Sequence, residues 1–129
     1  MTESIRKKIS EMVSEFAGDF IRLGEDTRKR NINLQLACSA WNLANLSKPQ
    51  RKKAFRSYMD DFRKLNPEAD FAAVEYNLKQ LIFEKLARFP LELATIISAE
   101  YKEGDDENRI SIVSVPKGTL PRAGTFPWN

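Results

Sequence analysis

Residues 28–46 read R28-K-R-N-I-N-L-Q-L-A-C-S-A-W-N-L-A-N-L46, and the fold turns on how this run is placed. At about 100° per residue on a helix, Gln35, Ser39, Asn42 and Asn45 gather within roughly a third of the circumference. Ile32, Leu36, Ala37, Ala40, Trp41, Leu43 and Ala44 fill the rest. An apolar face this wide belongs to a central helix with neighbours on several sides. The side-chain amides can make polar contacts or cap adjacent loops. Asn31 to Ser47 is also the longest stretch without a charge. Its Asn31, Asn33, Gln35, Asn42 and Asn45 are side chains that the hydrocarbon of a bilayer would not accept in a single-pass helix, so no membrane span is expected.

The flanking segments supply the neighbours. Over 4–23, Ile5, Ile9, Met12, Val13, Phe16, Phe20 and Leu23 recur at steps of three and four, which predicts a helix with Ser4 as N-cap and Gly24 as a left-handed C-terminal residue. S47-K-P-Q50 has the form of a capping box with Pro49 in the first turn. The helix it opens carries a stripe of Phe55, Tyr58, Met59, Phe62 and Leu65 and ends at Asn66, before Pro67. A fourth helix starts at Asn66 or Asp70, buries Phe71, Val74, Leu78, Leu81, Ile82 and Leu86, and stops at Pro90, with Phe89 packing at the corner. Beyond Pro90 the pattern changes. R109-I-S-I-V-S-V115 is rich in β-branched residues, and its backbone needs a partner, for which 94–102 is the candidate across the turn-forming E103-G-D-D-E-N108. The alternative is a fifth helix over 90–102 with the strand pairing in a dimer. The expected fold is therefore α+β, mainly α: an irregular four-helix bundle followed by a C-terminal antiparallel β-hairpin and an extended tail. Residues 1–115 form one domain, and 116–129, with three Pro and two Gly, form the tail.

Composition narrows function mostly by exclusion. The 129 residues include no His, so a Ser-His-Asp or Cys-His arrangement and the familiar zinc sites are ruled out. The five Gly are scattered and build no phosphate loop. No catalytic, cofactor-binding or metal-binding residue is expected. Cys38, the single cysteine, reads as a small buried hydrophobe, and an unpaired thiol fits a reducing compartment, here the cytoplasm. Trp41 and Asn42 read as core rather than as a ligand box. The acidic loop 103–108 does not match EF-hand spacing and reads as a solvated hairpin tip.

Charge is the remaining lead. Residues 1–47 carry seven basic and six acidic side chains (+1), 48–65 seven and two (+5), and 66–129 seven and ten (−3), which sum to the net +3. Lys48, Arg51, Lys52, Lys53 and Arg56 crowd the start of the third helix, where cations oppose the helix dipole. Lys52, Arg56 and Arg63 share one flank, Lys53 and Lys64 lie further round, and Asp60 can pair with Arg56 or Lys64 at i±4. An anion at that terminus would meet free N–H groups and cations together. The leading expectation is a small non-catalytic interaction or accessory protein. Its candidate contacts are Lys48, Arg51, Lys52, Lys53, Arg56 and Arg63, toward an acidic protein surface, with Phe126 and Trp128 of the tail as a second contact. Nucleic acid is the alternative partner, with R28-K29-R30 as an auxiliary phosphate contact, and a homodimer through the tail or the hairpin edge is a further expectation. A third class, an enzyme without histidine, would need paired carboxylates or a lysine of shifted pKa in a pocket.

Overall fold

The computed structural model describes residues 8–102 and 110–116. Four helices, α1 (Ile9–Arg22), α2 (Thr27–Ala44), α3 (Lys48–Leu65) and α4 (Phe71–Arg88), precede strands β1 (Thr95–Tyr101) and β2 (Ile110–Val115). The strands pair antiparallel, so the hairpin forms and the fifth helix does not. Ser4, Ile5, the loop 103–108 and the tail lie outside the described residues.

Local chemistry sets most helix ends. Asp26 and Asp70 cap α2 and α4 by accepting from the N–H groups of Lys29 and Ala73. α3 stops at Leu65 before Asn66-Pro67, and α4 at Arg88 before Pro90. Three expected caps differ. α1 starts at Ile9 rather than after Ser4, because Lys8 stands extended at its N-cap and donates its N–H to the Glu11 carboxylate at 3.1 Å. Ser47 does stand at the N-cap of α3, but its side chain makes no capping bond; Pro49 in that first turn lacks one of the N–H groups such a cap would serve. Gly24 does not adopt a left-handed conformation. It is required because α2 crosses close by: a Cβ there would stand 2.7 Å from the Arg30 nitrogen.

α2 is the central element, packed against α1, α3, α4 and β1. Leu34, Leu36, Ala37, Cys38, Ala40, Trp41 and Leu43 are buried at its centre, against Val13, Phe16 and Ile21 of α1 and Leu78 and Leu81 of α4. Trp41 lies between Phe16 and Phe89, with ring centroids 6.0 and 6.3 Å away. Some predicted stripe residues stay out of the core. Leu23 and Leu65, at the C-terminal ends of α1 and α3, are exposed, Phe55, Phe71 and Val74 are only half-buried where α3 and α4 stand apart, and Leu86 is half-buried as well.

The polar row of α2 faces β1 and serves as its second strand partner. The Asn31 amide donates to the Tyr101 carbonyl (2.8 Å) and accepts from the Tyr101 N–H (2.7 Å). Gln35 donates to the Ala99 carbonyl (2.7 Å). Asn42 repeats the two-way pairing with Ile96, at 2.8 and 2.9 Å. Trp41 Nε1 and Asn45 Nδ2 both donate to the Ala94 carbonyl. The two elements run antiparallel, and their spacings match. The step from Gln35 to Asn42 is two helical turns, about 10.5 Å. A regular strand would present every second residue, about 6.7 Å apart, so a step from Ile96 to Ala99 requires one extra residue. The bulge between Ile96 and Ser98 supplies it. The edge of β1 is thus closed by amides borne on a helix.

Candidate functional site

The basic segment divides once its neighbours are in place. Arg51 is half-buried, and its guanidinium donates to the carbonyls of Leu43 (3.3 Å), Ala44 (3.2 Å) and Leu46 (3.1 Å). The Ala44 and Leu46 carbonyls lie at and just past the end of α2, beyond its last intrahelical donors, the Leu43 carbonyl also accepts from the Leu46 N–H, and a cation there complements the dipole. One of the cations that oppose the dipole of α3 therefore serves that of α2. Replacing Arg51 by Ala should lower unfolding free energy by about 2 kcal/mol, whereas Lys52→Ala should stay within about 0.5 kcal/mol, both read from denaturant midpoints.

Lys48, Lys52, Arg56 and Arg63 are exposed and line, with Arg51, one side of a groove of about 600 Å³ between α3 and α4. The axes of these helices stay apart, and long side chains bridge the gap. Phe62 and Phe71 meet edge-on with centroids 6.5 Å apart, Arg63 lies over the Phe71 ring at 4.9 Å, and Lys79 over Phe55 at 5.8 Å. Phe55, Met59 and Ile82 supply the apolar surface of the groove, with Glu75 and Lys79 on the α4 side. Six basic side chains (Lys48, Arg51, Lys52, Arg56, Arg63, Lys79) face two acidic ones (Asp60, Glu75), a lining charge of +4. Glu75 already pairs with Lys79 at 3.2 Å. Among the described residues Asp60 forms no ion pair with Arg56 or Lys64, so it lowers the lining charge by one without tying up either cation. Lys53 and Lys64 point elsewhere and do not line the groove.

Next to this groove, α4 carries an apolar stripe on its solvent side. At about 100° per residue, Ala72, Tyr76, Phe83 and Ala87 fall within one sector of about 60°. Tyr76 and Phe83 are 63% and 65% exposed. No feature of the sequence separates these aromatics from the core stripe of the same helix except their offset on the wheel.

The other candidates serve the fold. Cys38 is buried, and burial pushes its thiol well above the ordinary range, so it is not a poised nucleophile. Trp41 and Asn42 are engaged with β1. In R28-K29-R30, Lys29 pairs with Glu25 at 2.9 Å, while Arg30 donates to the Gly24 carbonyl and to Tyr101 Oη, leaving Arg28 outward. Phe126 and Trp128 lie outside the described residues.

No sequence feature distinguishes Lys85 from a helix-surface lysine. It is fully buried. Its ammonium donates to Asn45 Oδ1 (2.5 Å) and the Glu92 carbonyl (2.6 Å) and sits 4.6 Å from the centroid of the Trp41 ring. Desolvation lowers its pKa to about 8, and Glu92 draws it partly back up. A lysine of this pKa can act as a nucleophile or base when reactants reach it, but Lys85 has no exposed surface and lines none of the cavities described.

The fold and groove define a small helical bundle with a strand hairpin fastened along its central helix and one basic, apolar-floored face. Comparison of the chain with protein-family models, curated proteins and solved structures finds no match. Among the described residues, no helix is long and apolar enough to cross a membrane.

Proposed function

We propose that this is a non-catalytic interaction protein whose contact surface is the α3–α4 groove and whose partner is an acidic, amphipathic segment of another protein. The observation that carries this reading is an apolar floor inside a basic rim. Phe55, Met59 and Ile82 can receive apolar anchors while Lys48, Lys52, Arg56 and Arg63 meet carboxylates. Arg51 adds less to the rim, since its guanidinium is held by carbonyls. Helix-in-groove recognition uses this division, with anchors at i, i+3, i+4 and i+7 on one face of the incoming helix.

Nucleic acid fits the same surface less well. Phosphates need the cations but gain nothing from the floor, and base stacking needs an open aromatic face. Phe55 is half-buried and has the Lys79 ammonium over its ring.

Two probes of similar charge test the reading: a fluorescent helical peptide with Leu on one face and Glu on the other, and a mixed-sequence DNA duplex. The peptide should bind, and Lys52→Glu with Arg56→Glu should weaken it about tenfold or more, mainly through slower association. Lys53→Glu with Lys64→Glu changes net charge equally but lies off the groove and should have little effect. Equal loss in both pairs, or preference for the duplex, would overturn the groove as a site for an acidic peptide.

A further inference from the structure

The amide row of α2 closes the outer edge of β1 and so determines which backbone groups of β2 remain. Ile96, Ala99 and Tyr101 turn their hydrogen-bonding groups toward α2, and their register partners on β2 are Ser114, Ile112 and Ile110. In an antiparallel ladder, residues directly opposite one another either bond together or both turn outward. The N–H and C=O groups of Ile110, Ile112 and Ser114 therefore form the outer edge of the hairpin. Among the described residues nothing bonds to them.

Natural sheet edges are blunted by charges, prolines or bulges. I110-S-I-V-S-V115 has none within the strand, and its bulge-bearing partner is the strand already covered. The face carrying Ile110 and Ile112 packs toward the core, where α1 meets β2. The opposite face presents Ser111 and Val113, with Val113 53% exposed.

We infer that this edge pairs with the same edge of a second copy of the chain, β2 against β2, about a two-fold axis at Ile112. The strand is self-complementary in that register. Ile112 faces its counterpart and Ile110 faces Ser114, so the three outward residues form narrow pairs with about six hydrogen bonds in total. Val113 then lies opposite Ser111 of the partner subunit on the solvent face, and the sheet becomes four-stranded. The following segment of the same chain is a poorer third strand, because Pro121 and Pro127 would each remove a ladder donor. This pairing is independent of the α3–α4 groove.

Light scattering and sedimentation on the full chain at about 100 μM, a concentration suited to a small edge interface, should give a dimer. Ser111→Lys with Val113→Lys places lysine opposite lysine across the axis on a solvent face, and should yield a folded monomer with unchanged circular dichroism. Mixing that variant with Ser111→Glu/Val113→Glu, itself monomeric, should restore a heterodimer at low salt. This rescue separates lost pairing from lost folding. A monomeric wild type, a dimer indifferent to the lysine pair, a mixture that stays monomeric, or a dimer lost on removing 117–129 would each overturn the assignment.

Discussion

Replacing Asn42 by Ala is expected to lower the unfolding free energy by about 3 kcal/mol, a large effect for a residue that is neither apolar nor fully buried. Asn42 holds both the N–H and the C=O of Ile96, and Ile96 is the one fully buried residue of the described hairpin. Without the amide, two main-chain groups stay out of water with no partner, each costing about 1–3 kcal/mol. Asn42→Leu should be no better, since the side chain fills the space but satisfies neither group. Asn33→Ala removes a single donation to the Phe20 carbonyl and should cost about 1 kcal/mol. Denaturant unfolding measures the totals, and hydrogen exchange locates them. In Asn42→Ala the amides of β1 and β2 should lose protection before those of α2 and α4, because α2 is what fastens the hairpin.

Lys85 gives the second large effect, and it depends on pH. Between about 8 and its ordinary value of 10.5 the unfolded chain holds a proton on this lysine that the folded chain has released. Stability rises with pH wherever the unfolded state binds more protons, so it should increase above pH 8, by at most about 1.4 kcal/mol per pH unit. Release loses no hydrogen bond, since the two N–H groups of the neutral amine suffice for Asn45 Oδ1 and the Glu92 carbonyl. Cys38 and Tyr58 act in the opposite sense. Burial raises both pKa values, so the unfolded chain ionises first, above 9.0 for the thiol and above 10.0 for the phenol, and stability falls there. The expected profile climbs from pH 8 to 9, levels between 9 and 10 and declines beyond. Lys85→Met keeps the bulk beside Trp41 but removes the donations to Asn45 Oδ1 and the Glu92 carbonyl. It should cost about 2 kcal/mol near neutrality and abolish the climb. Cys38→Ala should extend the climb toward pH 10. Denaturation midpoints across this range test all three, and a profile unchanged by Lys85→Met would remove Lys85 as the source.

Much of the architecture was legible in the residues because its causes are local. Asp70, Pro67 and Pro90 act on backbone within a few positions of themselves, so the limits of α3 and α4 can be read directly. The change from helical to alternating period after Pro90 placed the hairpin, with β1 and β2 within a residue of 94–102 and 109–115. The basic flank was legible in the same way: Lys52, Arg56 and Arg63 share a side by helix geometry, and that side lines the groove. What failed was the assignment of individual charges. Arg51 looked like its neighbours, yet it meets carbonyls five to eight positions back, across the α2–α3 turn. Nothing in the sequence sets Lys85 apart, because its partners come from the end of α2 and the segment before β1.

The sequence by itself determined the order and limits of most elements, the centrality of α2 and the existence of a polar row along it, because periodicity and capping depend on residues within a turn or two. Only the tertiary structure decided what that row binds. Gln35, Asn42 and Asn45 of that row, joined by Asn31, find their acceptors 49–70 positions away, at or beside a strand whose bulge sets the matching spacing, whereas Ser39 is buried and bonds back to the Gln35 carbonyl. It also decided the groove, which exists because α3 and α4 stand apart. A side-chain amide declares that it needs partners, but which partners it meets depends on how the chain returns to it.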